Sequence, residues 1–289
     1  MTYQELWRQL TQVYDEGEAK AIARLVYEVR FGLMTADLFI GKDTQLSTDD
    51  QKLLEEIAKR LLQQEPVQYV LGEAEFGGRT FHVEPGVLIP RPETYELCQW
   101  IIEERGKKHS AEGCLQPKGC KKEESDILDI GTGSGCIACT LAADIPHAQV
   151  TAWDISDNAL RIASENAKRT HVHVSFEKVD ALNIPSTSQF DIIVSNPPYI
   201  CDKERAAMER NVLEHEPELA LFVPDDNPLL FYRAIARYAK QALTPDGELY
   251  FEINPLYVNE MEAMLRQEGF AHTEIREDQF GKQRFTKSW

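Results

Sequence analysis

The stretch Asp129-Ile130-Gly131-Thr132-Gly133-Ser134-Gly135 constrains the fold more than any other part of the chain. An apolar run precedes it and a helix-length segment follows, so it is expected to turn a strand directly into a helix. Glycine lets the backbone turn sharply and approach a ligand closely. From there on, short β-rich runs alternate with helical periods. Strands are expected at 126–130, 148–154, 172–178, 190–195 and 247–253. Helices are expected at 135–143, 156–169, 227–242 and 255–268, with a closing strand pair at 271–276 and 283–288. Apolar strands alternating with helices predict an α/β fold around a parallel sheet.

Upstream the pattern differs. Residues 1 to 65 carry helical spacing: Leu6, Leu10 and Val13, then Ala21, Leu25, Val26 and Val29. A third helix is expected to open at Thr48, with Gln51 three residues on as in a capping box. Leu53, Leu54, Ile57, Ala58, Leu61 and Leu62 form its apolar stripe, and Pro66 closes it. Phe76 to Val83, with Gly77-Gly78 inside, predicts a hairpin. In VLIPRPET, Pro90 and Pro92 bracket Arg91 and hold an extended segment, with a helix restarting after Thr94. Residues 104–125 are polar and aperiodic and predict a surface loop. The domain reading is a helical N-terminal domain at 1–70, a hairpin and linker at 71–93, and a catalytic domain at 94–289.

Two nucleotide-type readings compete for the glycine loop. A dinucleotide fingerprint needs glycine at the first, third and sixth positions. Counted from Gly131, the sixth position is Cys136, so that match fails. The alternative, acid-x-Gly-x-Gly-x-Gly, is the loop of the S-adenosylmethionine methyltransferases, and Asp129 through Gly135 fits it at every position. Asp154 ends the next expected strand, where an acid can accept hydrogen bonds from both ribose hydroxyls. Capping the following helix is its competing role, though Ser156 can do that instead. Asp180 is expected to end the third strand, facing an adenine edge.

The segment FDIIVSNPPYI delivers Asn196-Pro197-Pro198-Tyr199 at the carboxyl end of a buried strand. That edge is where open α/β sheets bind ligands. Two prolines stiffen the loop and leave backbone carbonyls free to accept. Asn196 adds a side-chain carbonyl, and Tyr199 a flat wall. This suits methylation of a planar NH₂ nitrogen. The Asn196 side chain and the Pro197 carbonyl would accept its two hydrogens and aim its lone pair at the methyl donor. Catalysis would rest on positioning and dipoles, without a strong base. A rigid turn is the competing structural reading.

Composition excludes several classes. With 31 basic and 48 acidic residues the net charge is −17, a poor match for gripping phosphates. No apolar run approaches a bilayer span, and the N-terminus lacks a signal-peptide pattern, so a cytoplasmic protein is expected. Six cysteines in 289 residues do not form a disulfide framework. Cys136 and Cys139 are spaced C-x-x-C, but a zinc site needs a second pair. Cys114 and Cys120 sit on the expected loop, so small buried helix residues and no metal are expected. His215 is expected to be an exposed loop residue, since the chemistry needs no base.

With both motifs placed, the chain resembles the HemK/PrmC family, the N5-glutamine methyltransferases of bacterial release factors. The resemblance runs over nearly the full length. It includes the helical start, PVQYVLGEAEF, VLIPRPET, DIGTGSG, NPPYI and HEPELAL. It implies a Rossmann-like class I S-adenosyl-L-methionine-dependent fold with a small N-terminal helical domain. It implies that the substrate is the glutamine of the Gly-Gly-Gln motif in class-1 release factors, that this protein is the partner, and that the enzyme is a monomer. It implies that Asp129, Gly131, Thr132, Gly133, Ser134, Gly135, Asp154, Asp180, Ala181 and Asn196 hold the methyl donor. Asn196, Pro197, Pro198 and Tyr199 would contact the glutamine, with Arg91 and Glu93 close to the cleft. Arg91 as a structural ion-pair former is the alternative. Three positions depart from the family pattern: Tyr95 after the Thr of Pro-Glu-Thr, Asn254 after Glu252-Ile253, and Ala181. The competing function is methylation of amino groups in nucleic acid, against which the acidity and the lack of a basic recognition domain argue.

Overall fold

A computed structural model describes residues 1–112, 124–185 and 188–289. Its contacts divide into two compact units, Met1–Glu73 with Met208–His215, and Ala74–Ala207 with Glu216–Trp289.

The first unit is helical: α1 (Tyr3–Leu10), α2 (Glu16–Phe31), α3 (Thr35–Phe39), α4 (Thr48–Leu62) and α5 (Val67–Leu71). Leu6, Leu10, Ala23, Val26, Leu54, Ile57 and Leu61 share one core. Thr2 and Glu5 form a capping box on α1, and Asp15 caps α2. The cap of α4 is Ser47 rather than Thr48: Ser47 is extended, and its hydroxyl accepts from the Asp50 amide at 3.2 Å. Leu53 is exposed and falls outside the buried stripe of α4.

The second unit opens with β1 (Glu73–Phe76) and β2 (Arg79–His82), which flank the Gly77-Gly78 turn as expected. Gly77 has φ +60°, and a Cβ there would lie 2.2 Å from the ring of Tyr95. That ring stacks edge-on against Phe76 at 5.4 Å. The aromatic that departs from the family pattern thus fills the space that glycine leaves.

Helix α6 runs Pro92–Glu112, beginning before Thr94 and continuing through the first part of the expected 104–125 loop. Pro92 costs nothing in a first turn, where its missing N–H has no partner to lose. Three of the polar residues just beyond 103 are paired. Glu104 meets Lys107 at 2.8 Å and Lys287 at 2.9 Å, and Arg105 donates to Ser125 Oγ at 2.7 Å. The rest of that expected loop, with Cys114 and Cys120, lies outside the described residues.

Next come β3 (Ser125–Ile130), α7 (Cys136–Asp144), β4 (Ala148–Asp154), α8 (Asp157–Arg169), β5 (Val174–Lys178) and β6 (Phe190–Ser195). A short pair follows, β7 (Ile200–Cys201) and β8 (Phe222–Val223); between them in sequence come α9 (Arg210–His215), which belongs to the first unit, and α10 (Glu218–Leu221). The chain closes with α11 (Leu230–Ala242), β9 (Leu243–Glu252), α12 (Val258–Gln267), β10 (Thr273–Glu277) and β11 (Gln283–Ser288).

The main sheet has seven strands in the order β10-β11-β9-β6-β3-β4-β5. β9, β6, β3, β4 and β5 are parallel, and β11 and β10 close one side antiparallel. Alternation along the strands supplies both faces. Ile127, Ile192, Val194 and Tyr250 pack against Leu97, Ile101 and Ile137 of α6 and α7. Leu128, Ile130, Ile193, Leu249 and Phe251 pack against Tyr232, Ile235 and Met261 of α11 and α12. The result is three layers, helix on sheet on helix. No described helix is long and apolar enough to cross a membrane.

Candidate active site

The sheet order reverses between β3 and β6: β4 and β5 extend one way from β3, and β6 returns to its other side. Such a switch point leaves a crevice outside the carboxyl ends of the strands. Register fixes what lines it. Trp153, Ile130, Ser195 and Phe251 are successive partners across β4, β3, β6 and β9. The next residues on those four chains are Asp154, Gly131, Asn196 and Glu252. At about 4.8 Å per strand, Asp154 and Asn196 stand about 10 Å apart across the crevice. Both motifs singled out in the sequence therefore meet at one edge.

The glycine loop is built by backbone bonds. The amides of Gly131 and Thr132 both donate to the Trp153 carbonyl, at 2.8 and 2.9 Å. Gly133 donates to Asp154 Oδ2 at 2.9 Å, and Ser156 donates to Asp154 Oδ1 at 2.9 Å. Ser156 caps α8, which leaves Asp154 free of that role. Burial raises the pKa of Asp154, and the backbone amides of Ser156, Gly133 and Ile155 oppose the rise. The carboxyl of Asp129 is fully buried and accepts from the Thr132 hydroxyl at 2.7 Å, with burial pushing its pKa up to about 7. Asn166, on α8, donates to the Ser134 carbonyl at 2.8 Å and clamps both backbone groups of His82. Gly131 and Gly133 have positive φ, and a Cβ at either would meet nothing within 4 Å. The loop thus faces open space, beside a carboxylate with lone pairs to spare. These residues fit an adenosyl group: Asp154 for ribose hydroxyls, the loop for the chain beyond.

Asp180 does not end a strand. β5 stops at Lys178, and the Asp180 carboxylate accepts from the Leu182 backbone amide at 2.9 Å and from Asn183 Nδ2 at 2.7 Å, forming a turn. The Val179 amide donates to the Asp154 carbonyl at 3.0 Å, which keeps this turn beside the crevice. Ala181 packs on the α11–α12 side of the sheet, with Ile184 nearby in the same cluster.

The proline-backed rim is braced from beneath. Ser195 donates to the Ile130 carbonyl at 2.6 Å, locking the end of β6 to β3. Pro197 is buried, and Asn196, Pro198 and Tyr199 are half-buried. Asn196 Nδ2 donates to Thr94 Oγ1 at 3.2 Å, and Thr94 Oγ1 donates to Glu252 Oε2 at 2.7 Å. Glu252 Oε1 accepts from the Tyr199 hydroxyl at 3.0 Å. Burial raises the pKa of Glu252, while the two hydroxyls and the charge of Arg284 pull it down. Burial, with Glu252 adding to it, pushes the Tyr199 hydroxyl well up, so it remains a donor. Asn254, another departure from the family pattern, donates to the Tyr199 carbonyl at 3.1 Å and to Glu204 at 3.0 Å. It holds the far end of the rim.

Arg91 meets the buried Glu216 at 2.5 Å, and Glu216 also accepts from the Ile89 amide at 3.2 Å. The ion-pair role is therefore filled, and Glu216 staples the proline segment. Glu93 lies in the first turn of α6, half-buried. His215 is not an exposed loop residue: it ends α9 and is half-buried. Cys136 and Cys139 lie on α7 as free, buried thiols, each pushed up to about 12 by burial. Sequence reasoning assigned no role to Thr94, Glu216 or Glu252. Only their places inside the quoted stretches IPRPET, HEPELAL and Glu-Ile-Asn pointed toward them.

A Rossmann-like sheet with a glycine loop and an Asn-Pro-Pro-Tyr rim at its switch point defines the methyltransferase class. Residues 114–219 match the methyltransferase small domain, and residues 3–72 the PrmC N-terminal domain. A release factor glutamine methyltransferase of Bacteroides thetaiotaomicron is 45% identical over 278 residues, 95% of this chain and 94% of the relative. One from Flavobacterium psychrophilum is 42% identical, covering 96% and 94%. The chain belongs to the HemK/PrmC family of release factor glutamine methyltransferases. Among solved structures, the hMettl16 catalytic domain with MAT2A 3'UTR hairpin 6 aligns with a TM-score of 0.52 at 17% identity, covering 82% of this chain and 81% of that one. At that identity the likeness speaks to the fold alone.

Proposed function

We propose that this protein transfers a methyl group from S-adenosyl-L-methionine to the side-chain amide nitrogen (N5) of the glutamine in the Gly-Gly-Gln motif of class-1 peptide chain release factors. The observation that carries the reading is the orientation of Asn196. Its NH₂ end is taken by Thr94, so its carbonyl is the end left for a substrate, next to a glycine loop open to a nucleoside. The family's curated relatives are named for this activity.

When bound, S-adenosyl-L-methionine supplies a methyl group on a sulfonium, an electrophile that leaves a neutral thioether. The chain's own work is to hold and orient. Asp154 would take the ribose hydroxyls, and Gly131, Thr132, Gly133, Ser134 and Gly135 the rest of that ligand, with Asp129 fixing Thr132 from below. Asp180 and Ala181 would border the adenine. Asn196 Oδ1 and the Pro197 carbonyl would accept the two hydrogens of the glutamine amide. That fixes the nitrogen and raises its electron density. Pro198 stiffens the loop, and the Tyr199 ring walls the apolar stem of the side chain. The positive charge that develops on that nitrogen would be met by the same two acceptors. The proton then leaves to water. Glu93 and Arg91 would frame the mouth, and residues 1–70 would dock the release factor. The reading also makes the protein a cytoplasmic monomer whose partner is the release factor and not nucleic acid.

The test is incubation with methyl-labelled S-adenosyl-L-methionine and a class-1 release factor, then mass mapping. One added methyl on the Gly-Gly-Gln glutamine, abolished by Asn196→Ala while donor affinity stays within about threefold, supports the reading. Transfer only to DNA or RNA would overturn it.

A further inference from the structure

We propose that Thr94 and Glu252 are positioning residues that impose one direction on a hydrogen-bond chain and thereby make the site select a carboxamide over a carboxylate. This rests on the function proposed above. The chain runs Asn196 Nδ2 to Thr94 Oγ1 at 3.2 Å, then Thr94 Oγ1 to Glu252 Oε2 at 2.7 Å. A carboxylate has no proton to give, so the Thr94 hydroxyl must donate to it. Having spent its only proton, Thr94 can offer Asn196 nothing but a lone pair. Asn196 must then turn its NH₂ toward Thr94, and its carbonyl faces the crevice.

The same carboxylate sets the other end of the rim. Its second oxygen accepts from Tyr199 at 3.0 Å, so one buried group orients both outer residues of the motif. Thr94 and Glu252 are 3% and 2% exposed, which keeps water from substituting for either partner. Burial raises the pKa of the Glu252 carboxyl, and the two hydroxyls, each placed to donate to one of its oxygens, oppose that rise together with the charge of Arg284. Polarisation along such a chain strengthens the terminal acceptor. A glutamine NH₂ meets an acceptor, whereas a glutamate at the same place would bring an oxygen against an oxygen.

Thr94→Val keeps the shape and removes the hydroxyl, freeing Asn196 to flip. Thr94→Ser keeps the hydroxyl. Glu252→Gln lets position 252 donate to Thr94, which reverses the chain. The experiment measures kcat on a release factor, affinity for S-adenosylhomocysteine, and the binding preference for that release factor over its own Gly-Gly-Glu variant. For Thr94→Val and Glu252→Gln we expect kcat to fall about 10- to 100-fold and the preference for glutamine to shrink at least about threefold. S-adenosylhomocysteine affinity should hold within about threefold, and Thr94→Ser should restore both quantities. Wild-type kcat and wild-type preference in Thr94→Val overturn the inference. Should that variant not fold, the same result in Glu252→Gln overturns it, as does a Thr94→Ser that fails to restore the preference. Failure of the wild-type enzyme to methylate the glutamine at all would instead remove the functional reading on which the inference stands.

Discussion

A buried aspartate can be told from an ordinary one by how folding responds to pH. Asp129 is fully buried, and burial lifts its carboxyl to about 7 against the Thr132 hydrogen bond that favours ionisation. In the unfolded chain it titrates near the usual carboxylate value of about 4. Between those values the folded state holds a proton the unfolded state has lost, so its stabilising contribution is present at low pH and lost as pH rises toward 7. From pH 5 to pH 8 the loss is on the order of 2–3 kcal/mol. Urea midpoints of the wild type and Asp129→Asn, measured across that window without ligand, should therefore diverge, the wild type losing more. Parallel curves would contradict the assignment. At this scale the sequence was legible where chemistry is local. Asp129 to Gly135 and Asn196 to Tyr199 carry their meaning in a few consecutive residues. Thr94 and Glu252 do not: 158 residues separate them, and they meet beneath the rim only because the register of β9 against β6 sets Glu252 there and the first turn of α6 brings Thr94 to it.

Among the elements, the hairpin and the start of α6 meet at an aromatic, Tyr95, which lies edge-on against Phe76. Gly77 sits at φ +60° with the Tyr95 ring where its Cβ would be. Gly77→Ala should cost about 1–3 kcal/mol, part from the left-handed backbone and part from the collision. The two parts separate in a double-mutant cycle with Tyr95→Ala, read from urea midpoints. A cycle with zero coupling would mean the ring is not what excludes the side chain. Strand and helix order was legible because apolar periodicity differs between the two. Boundaries were not where polar residues are paired rather than solvated. Beyond 103, α6 looked like loop because its Glu104 and Arg105 partners come from β11 and β3. The cap of α4 slipped by one because Ser47 and Thr48 both carry a capping hydroxyl, and only backbone conformation chooses Ser47.

At the scale of the whole molecule the sheet order explains why two motifs 65 residues apart act together. β3 and β6 are neighbours only because the chain reverses direction across the sheet, and the Ile130–Ser195 pair sits at that reversal. Parallel α/β class was visible in the sequence, but strand order was not, since no single strand records its neighbours. Net charge was readable directly. At −17 the molecule should attract the basic ribosome-contacting face expected of a release factor. Raising salt from about 50 to 500 mM should slow association at least about tenfold, because the screening length shrinks severalfold. A rate indifferent to salt would count against steering.

The most direct measurement of the central claim is a structure of this protein with S-adenosylhomocysteine and a release factor. The expected result is the glutamine amide nitrogen within hydrogen-bond distance of Asn196 Oδ1 and the Pro197 carbonyl, with Asn196 Nδ2 still on Thr94. A glutamine bound elsewhere, or an Asn196 whose carbonyl faces Thr94, would contradict it.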